Sequence, residues 1–290
     1  MSPRPKKYIV MGKAMGDSIS KSFDESGQIK KHVETALAKA GPYRARPRRF
    51  CRFWFGIVDT FFAIWKGRSV SLPDHEKSDD TVLFRCVQSD KLLVVAPPVR
   101  GNERSANVRP LVVDALSRGW SVAVHSRDRK TVFDEHSLRR CVENARSMTG
   151  AAASKTCVVG LSIGAYEACK ARLPYPLVSI SNGYDFEAVK NSLHRVVRRY
   201  VSRLASSIKS GNLSCVEELL CSSHPSLLIN SKNDPVVPNR CLDIGDSIAR
   251  ANPHVASVTT ARGGHLGFVG GDGKRWAYDV ALEFLQSVVG

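Results

Sequence analysis

A chain of 290 residues with 43% hydrophobic content is long enough for one large α/β domain plus an appendage. Its net charge of +16 raises nucleic acid or an anionic membrane surface as partners, but no zinc-finger, RNP or similar motif accompanies the charge, so a nucleic-acid partner is not expected. Eight cysteines occur without a Cys-x-x-Cys pair or metal-ligand spacing with histidine, which excludes the common zinc motifs and points to free thiols in a reducing, intracellular compartment.

Residues 1–49 read as a basic extension. Residues 1–52 hold 13 Lys and Arg against 4 Asp and Glu, a net +9 and over half of the excess. The polar stretch 1–24 is predicted to be poorly ordered, and its apolar run from Tyr8 to Met11 is too short for a secretory signal. Ile29, Val33, Ala36, Leu37 and Ala40 share one face of a helix predicted over 26–40, which Gly41-Pro42 ends. A basic run from Arg44 to Arg49 follows.

The next segment, within 50–70, is the most apolar in the chain. On a helix, Arg52, Gly56, Asp59, Ala63 and Lys66 form a narrow polar or small stripe, and Phe53, Trp54, Phe55, Phe61, Phe62 and Trp65 cover much of the rest. The run from Phe50 to Trp65 rises only about 24 Å, short of the roughly 30 Å hydrocarbon layer. Two readings follow: an interfacial helix lying on an anionic membrane, or a helix packed on the domain after it.

From 71 to 290 the pattern becomes that of an α/β domain. Strands are predicted at 81–87, 91–96, 121–125, 156–160, 177–181, 226–230 and 256–260. Helices are predicted at 105–118, 134–148, 163–172, 240–251 and 274–289, with a helical insertion at about 186–221 split into 186–209 and 213–221. The face from Val189 to Ile208 would cover a site, and the other face carries Lys190, Arg195, Arg198, Arg199 and Arg203. Alternating strands and helices imply a mostly parallel central sheet with helices on both faces. Function in such sheets collects in the loops at the carboxyl ends of the strands.

Three of these loops carry chemistry. Gly160-Leu161-Ser162-Ile163-Gly164 turns from strand to helix, and a Gly-x-Ser-x-Gly turn presents a serine hydroxyl above the sheet. Asn233-Asp234-Pro235 follows the 226–230 strand, and Gly263-Gly264-His265-Leu266-Gly267 follows the last strand. Ser162, Asp234 and His265 thus occur in the order nucleophile, acid, base, each just past a strand, as a Ser–His–acid triad on a parallel sheet requires. Asp185, after the 177–181 strand, is a rival for the acid. After the 91–96 strand, Pro97-Pro98 leaves Val99 as the first residue of the loop with a backbone N–H.

On these motifs the sequence resembles the α/β-hydrolase family, and most of all its YheT-like branch and the membrane-anchored eukaryotic relatives. The likeness runs from about Lys91 to the C-terminus and includes Val108-Arg109 and Arg118-Gly119-Trp120. It implies Ser162 as nucleophile, His265 as base, Asp234 as acid, and the N–H groups of Ile163 and Val99 as the oxyanion hole. It implies a carboxylic ester as substrate and no metal or organic cofactor, and the basic, aromatic N-terminal stretch adds the expectation of a small-molecule ester or acyl lipid at an anionic membrane. The chain departs from the family at Pro97-Pro98, where His-Gly or Pro-Gly is usual, and at Arg127-Asp128-Arg129-Lys130, which replaces an Arg-Gly-x-Gly loop. A peptidase or thioesterase would use the same triad, and a non-catalytic scaffold binding a membrane or partner is the alternative from another class. The expected location is cytoplasmic, or peripheral on a cytoplasm-facing membrane. The oligomeric state is not legible.

Overall fold

Strands that are apolar along their length have no face to offer water, so they belong at the centre of a sheet covered on both sides. Six strands that pair in parallel are buried along their whole length: β4 (Leu92–Ala96), β5 (Ser121–His125), β6 (Thr156–Leu161), β7 (Leu177–Ile180), β8 (Ser226–Ser231) and β9 (Val255–Thr260). The structure, a computed structural model, describes residues 19–23, 28–43, 52–126, 135–186, 188–189, 214–270 and 272–290, with residues 52–55 and 135 described by their backbone alone.

The six strands run parallel in the order β9-β8-β7-β6-β4-β5. Antiparallel strands close both edges of the nine-stranded sheet. β3 (Thr81–Phe84) and β2 (Glu76–Ser78) lie beyond β5, and β1 (Ile19–Ser22) pairs with β9, Ile19 opposite Thr260. The mostly parallel α/β sheet read from the sequence is therefore the one the chain forms.

Side chains alternate between two cores. Leu93, Val95, Val159 and Ile229 face α1 (Gln28–Ala40), α3 (Arg109–Ser117) and α8 (Trp276–Val289). Leu92, Val94, Val158 and Leu228 face α4 (Glu135–Thr149), α5 (Ile163–Lys170), α6 (Val216–Leu220) and α7 (Asn239–Ala251). Each fully buried Leu or Val contributes about 1.5–3 kcal/mol. Arg118, at the C-cap of α3, bonds Asp279 and Glu283 of α8, the latter at 2.6 Å.

Several elements differ from the sequence reading. β1 falls in a stretch expected to lack structure; its Ser-Lys-Ser sequence is only half-buried and carries no apolar alternation to betray it. α3 starts at Arg109 rather than Ser105. Asn102 Oδ1 accepts the Arg104 N–H and Ser105 Oγ accepts the Asn102 N–H, so these residues form a turn, and Pro110 favours a helix start there. The helix expected over 186–209 lies outside the described residues except Phe186, Ala188 and Val189, as do the Arg44–Arg49 run and the 127–130 loop.

The apolar segment forms α2 (Arg52–Arg68). Gly56, Ala63 and Gly67, from the small side of the helix, are buried against the domain. Phe61 and Trp65, one turn apart on the outer side, are 66% and 68% exposed. No helix of the described residues is long and apolar enough to cross a membrane.

Candidate active site

At the end of β6 the chain reverses into α5 through Ser162, whose φ of 57° and ψ of −117° lie where a non-glycine residue is strained. The neighbours permit the turn. A Cβ on Gly160 would overlap Ala165, and one on Gly164 would overlap the carbonyl oxygens of Ala96 and Pro97. The β4 loop thus crosses directly against the elbow. Ser162 O accepts the N–H groups of Ala165 and Tyr166, starting the helix behind the hydroxyl.

Ser162 Oγ lies 2.7 Å from His265 Nε2. On the far side of the ring, His265 Nδ1 is 2.9 Å from Asp234 Oδ2 and 3.2 Å from Oδ1. A carboxylate can only accept, so Nδ1 carries the proton and Nε2 is free to accept from the serine. The Asp234 side chain is fully buried. Its charge is compensated by hydrogen bonds: Oδ1 also accepts the backbone N–H groups of Val236 at 2.7 Å and Val237 at 2.9 Å. These bonds set the loop that Pro235 stiffens.

Three residues far apart in sequence, each expected from its loop, thus form one continuous hydrogen-bonded chain. His265 Nδ1 bonds Asp234 and not Asp185, the rival acid, whose Oδ1 accepts the Ala188 N–H. Ile163 begins α5 directly after Ser162, and Val99 lies in the loop whose Pro97 carbonyl abuts Gly164. Among the described residues no group of three His, Cys, Asp or Glu side chains is arranged to hold a metal.

Sequence reasoning missed the residues that hold the loops bearing Asp234 and His265. The His265 N–H donates to Thr60 Oγ1 at 2.8 Å, and the Gly264 N–H donates to Asn233 Oδ1 at 2.9 Å. Asn233 Oδ1 also accepts the Ser231 hydroxyl at 2.6 Å, and its Nδ2 donates to Asp59 Oδ2 at 3.3 Å. The Leu266 N–H donates to Ser181 Oγ at 3.2 Å. Thr60 and Asp59 belong to α2. The signal available was the small stripe through Gly56 and Ala63, which marks a helix face made for close approach but not what it approaches.

No family model matches the chain. A stretch of 64 residues is 38% identical to the embryogenesis-associated protein EMB8 of Picea glauca; it is 21% of this chain, which spans only 14% of that relative's length. The structure resembles a hyperthermophilic esterase from Pyrobaculum calidifontis, at a TM-score of 0.61 and 13% identity, over 82% of this chain and 93% of that one. It also resembles the esterase of Pyrococcus furiosus, at a TM-score of 0.59 and 17% identity, over 86% and 100% of the two chains. A puromycin-hydrolysing peptidase of Mycobacterium tuberculosis matches at a TM-score of 0.56 and 17% identity, over 76% of this chain and 40% of that one. With the sheet order and the strand-end elbow, these likenesses define the fold as that of the α/β-hydrolases.

Proposed function

We propose that the chain is a serine hydrolase of carboxylic esters. The observation that carries this reading is the hydrogen-bonded series Ser162 Oγ–His265 Nε2 at 2.7 Å and His265 Nδ1–Asp234 Oδ2 at 2.9 Å. Ser162 Oγ attacks the acyl carbonyl while His265 Nε2 takes its proton. Buried Asp234 keeps the ring in the productive tautomer and stabilises the imidazolium. The N–H groups of Ile163 and Val99 receive the oxyanion, and the start of α5 adds its dipole. The tetrahedral intermediate collapses, His265 gives its proton to the leaving alcohol, and the acyl group stays on Ser162. Water, deprotonated by His265, then releases the acid and restores the serine.

A fluorophosphonate probe tests this directly. Wild type is expected to label, and Ser162→Ala and His265→Ala are not. A folded wild type that does not label would instead favour a non-catalytic scaffold. Comparing p-nitrophenyl esters with acyl-thioesters and peptides then separates an esterase from a thioesterase or peptidase.

The substrate we propose is an acyl lipid at an anionic, cytoplasm-facing membrane. Support comes from exposed Phe61 and Trp65 beside exposed Lys66 and Arg68 on α2, and from the Arg-rich run that precedes this helix in sequence. Aromatic side chains beside basic ones suit a negatively charged interface. The seven cysteines among the described residues are free thiols, which fits a reducing compartment. Flotation with phosphatidylserine-containing liposomes is expected for wild type and reduced for Phe61→Ser/Trp65→Ser. Equal flotation of the two would remove α2 from the membrane contact.

A further inference from the structure

We infer that Asp59 and Thr60, adjacent residues of α2, are positioning residues that set the distance between the catalytic base and its acid. The inference rests on the hydrolase reading above and concerns a part of the chain outside the three triad loops.

The acid and base loops come from the ends of β8 and β9. Nothing in a parallel sheet fixes such loops to each other beyond their strands, and their tips must agree to a few tenths of an ångström for the His265–Asp234 bond to form. Here α2 lies against both. Thr60 has a single hydroxyl proton, and it donates this to the Gly56 carbonyl at 2.7 Å, one turn back along its own helix. Its oxygen therefore faces His265 as an acceptor only, and it takes the His265 backbone N–H at 2.8 Å. The hydroxyl is locked by one bond and reads out through the other.

The neighbouring residue serves the acid loop. Asp59 Oδ2 accepts from Asn233 Nδ2 at 3.3 Å, and the Asn233 oxygen accepts the Gly264 N–H at 2.9 Å. Asn233 directly precedes Asp234, and Gly264 directly precedes His265. Residues 59 and 60 point about 100° apart on a helix, so one reaches each loop. Asn233 joins the two loops, and α2 holds each from outside.

The backbones are close enough to require this fit. A Cβ on Gly56 would overlap the Asn233 carbonyl. Gly264 has φ of +58°, and a Cβ there would lie 2.5 Å from the Gly56 carbonyl and 2.8 Å from Thr60 Oγ1. A merely covering helix would not need glycine on both sides of the contact.

The test compares Thr60→Val, which keeps the shape and loses the acceptor, with Thr60→Ser, which keeps it. Three readouts are taken: the rate of fluorophosphonate inactivation, kcat and KM on a soluble p-nitrophenyl ester, and the far-downfield proton resonance of the His265–Asp234 hydrogen bond. Thr60→Val is expected to lower inactivation and kcat on the order of tenfold or more with KM unchanged, and to broaden or shift the resonance. Thr60→Ser is expected to stay within about threefold of wild type. Wild-type values for Thr60→Val, or a loss in Thr60→Ser as large as in Thr60→Val, would overturn the inference. Asp59→Leu cuts the other contact and gives the same test if Thr60→Val does not fold. A wild type that does not label would defeat the hydrolase reading, and the resonance would still decide whether Thr60 sets the His265–Asp234 contact.

Discussion

The proposed nucleophile and the proposed base are held in opposite ways. Ser162 is fixed by its own neighbourhood: strained dihedrals, a glycine on each side, and the β4 loop pressed against Gly164. His265 is fixed by an element 205 residues away in sequence, through Thr60. One half of the candidate site is thus a local motif and the other a tertiary construction. The local half is recognisable in any chain that carries it. The tertiary half depends on how this chain folds its N-terminal part back over the site.

The largest effect tests the site as a whole. Ser162→Ala is expected to reduce ester hydrolysis by roughly a thousandfold or more while leaving thermal unfolding near wild type. Retained turnover would place the chemistry elsewhere. Next comes the local half. Gly164→Val drives a branched side chain into the Ala96 and Pro97 carbonyls, and a melting experiment should show a loss of about 3 kcal/mol together with activity. The distant half should separate the two quantities. Gly56→Val meets the Asn233 carbonyl and is expected to lower kcat about a hundredfold, with less loss of stability than Gly164→Val. Equal stability losses in the two variants would mean that α2 is as integral to the fold as the elbow, and the contrast would fail.

The smallest effect concerns a carboxyl outside the candidate site. Asp114 on α3 has its pKa raised, first by burial and next by the charge of Asp279, against the pull of Arg118 and Arg275. The folded protein therefore binds this proton more tightly than the unfolded chain does. Charging Asp114 costs stability above the usual carboxylate range and costs nothing well below it. Asp114→Asn should raise the melting temperature slightly at pH 7, and the gain should vanish in acid. A gain that persists at low pH would point to another cause.

The same division explains what was legible beforehand. The parallel strands are legible where burial on both faces leaves an apolar run, as from Leu92 to Ala96. Ser162, Asp234 and His265 could be found because each sits in a short motif just past a strand. β1 and β2 could not, because edge strands of three or four mostly polar residues have no periodic signature. For α2 the sequence shows both faces but not which one packs. The aromatic side looks like the buried one, yet Phe61 and Trp65 face outward while the small stripe meets the site loops. The roles of Thr60 and Asn233 were illegible because each accepts a backbone N–H of the His265 loop, a donor that every residue but proline has.

The pairing of early with late elements has a consequence for the order of events during synthesis. β1 binds β9, α1 packs against α8, and α2 clasps the loop bearing His265. Each of these early segments leaves the ribosome long before its partner exists. The elbow and its flanking strands can assemble while the chain is still growing, but the N-terminal segments have nothing to grip until residues beyond 255 emerge. These long-range contacts come at the slow end of folding, where loop closure is costly. A nascent chain therefore carries the Ser162 turn before His265 can reach it, and the Ser162–His265–Asp234 contacts are among the last to form.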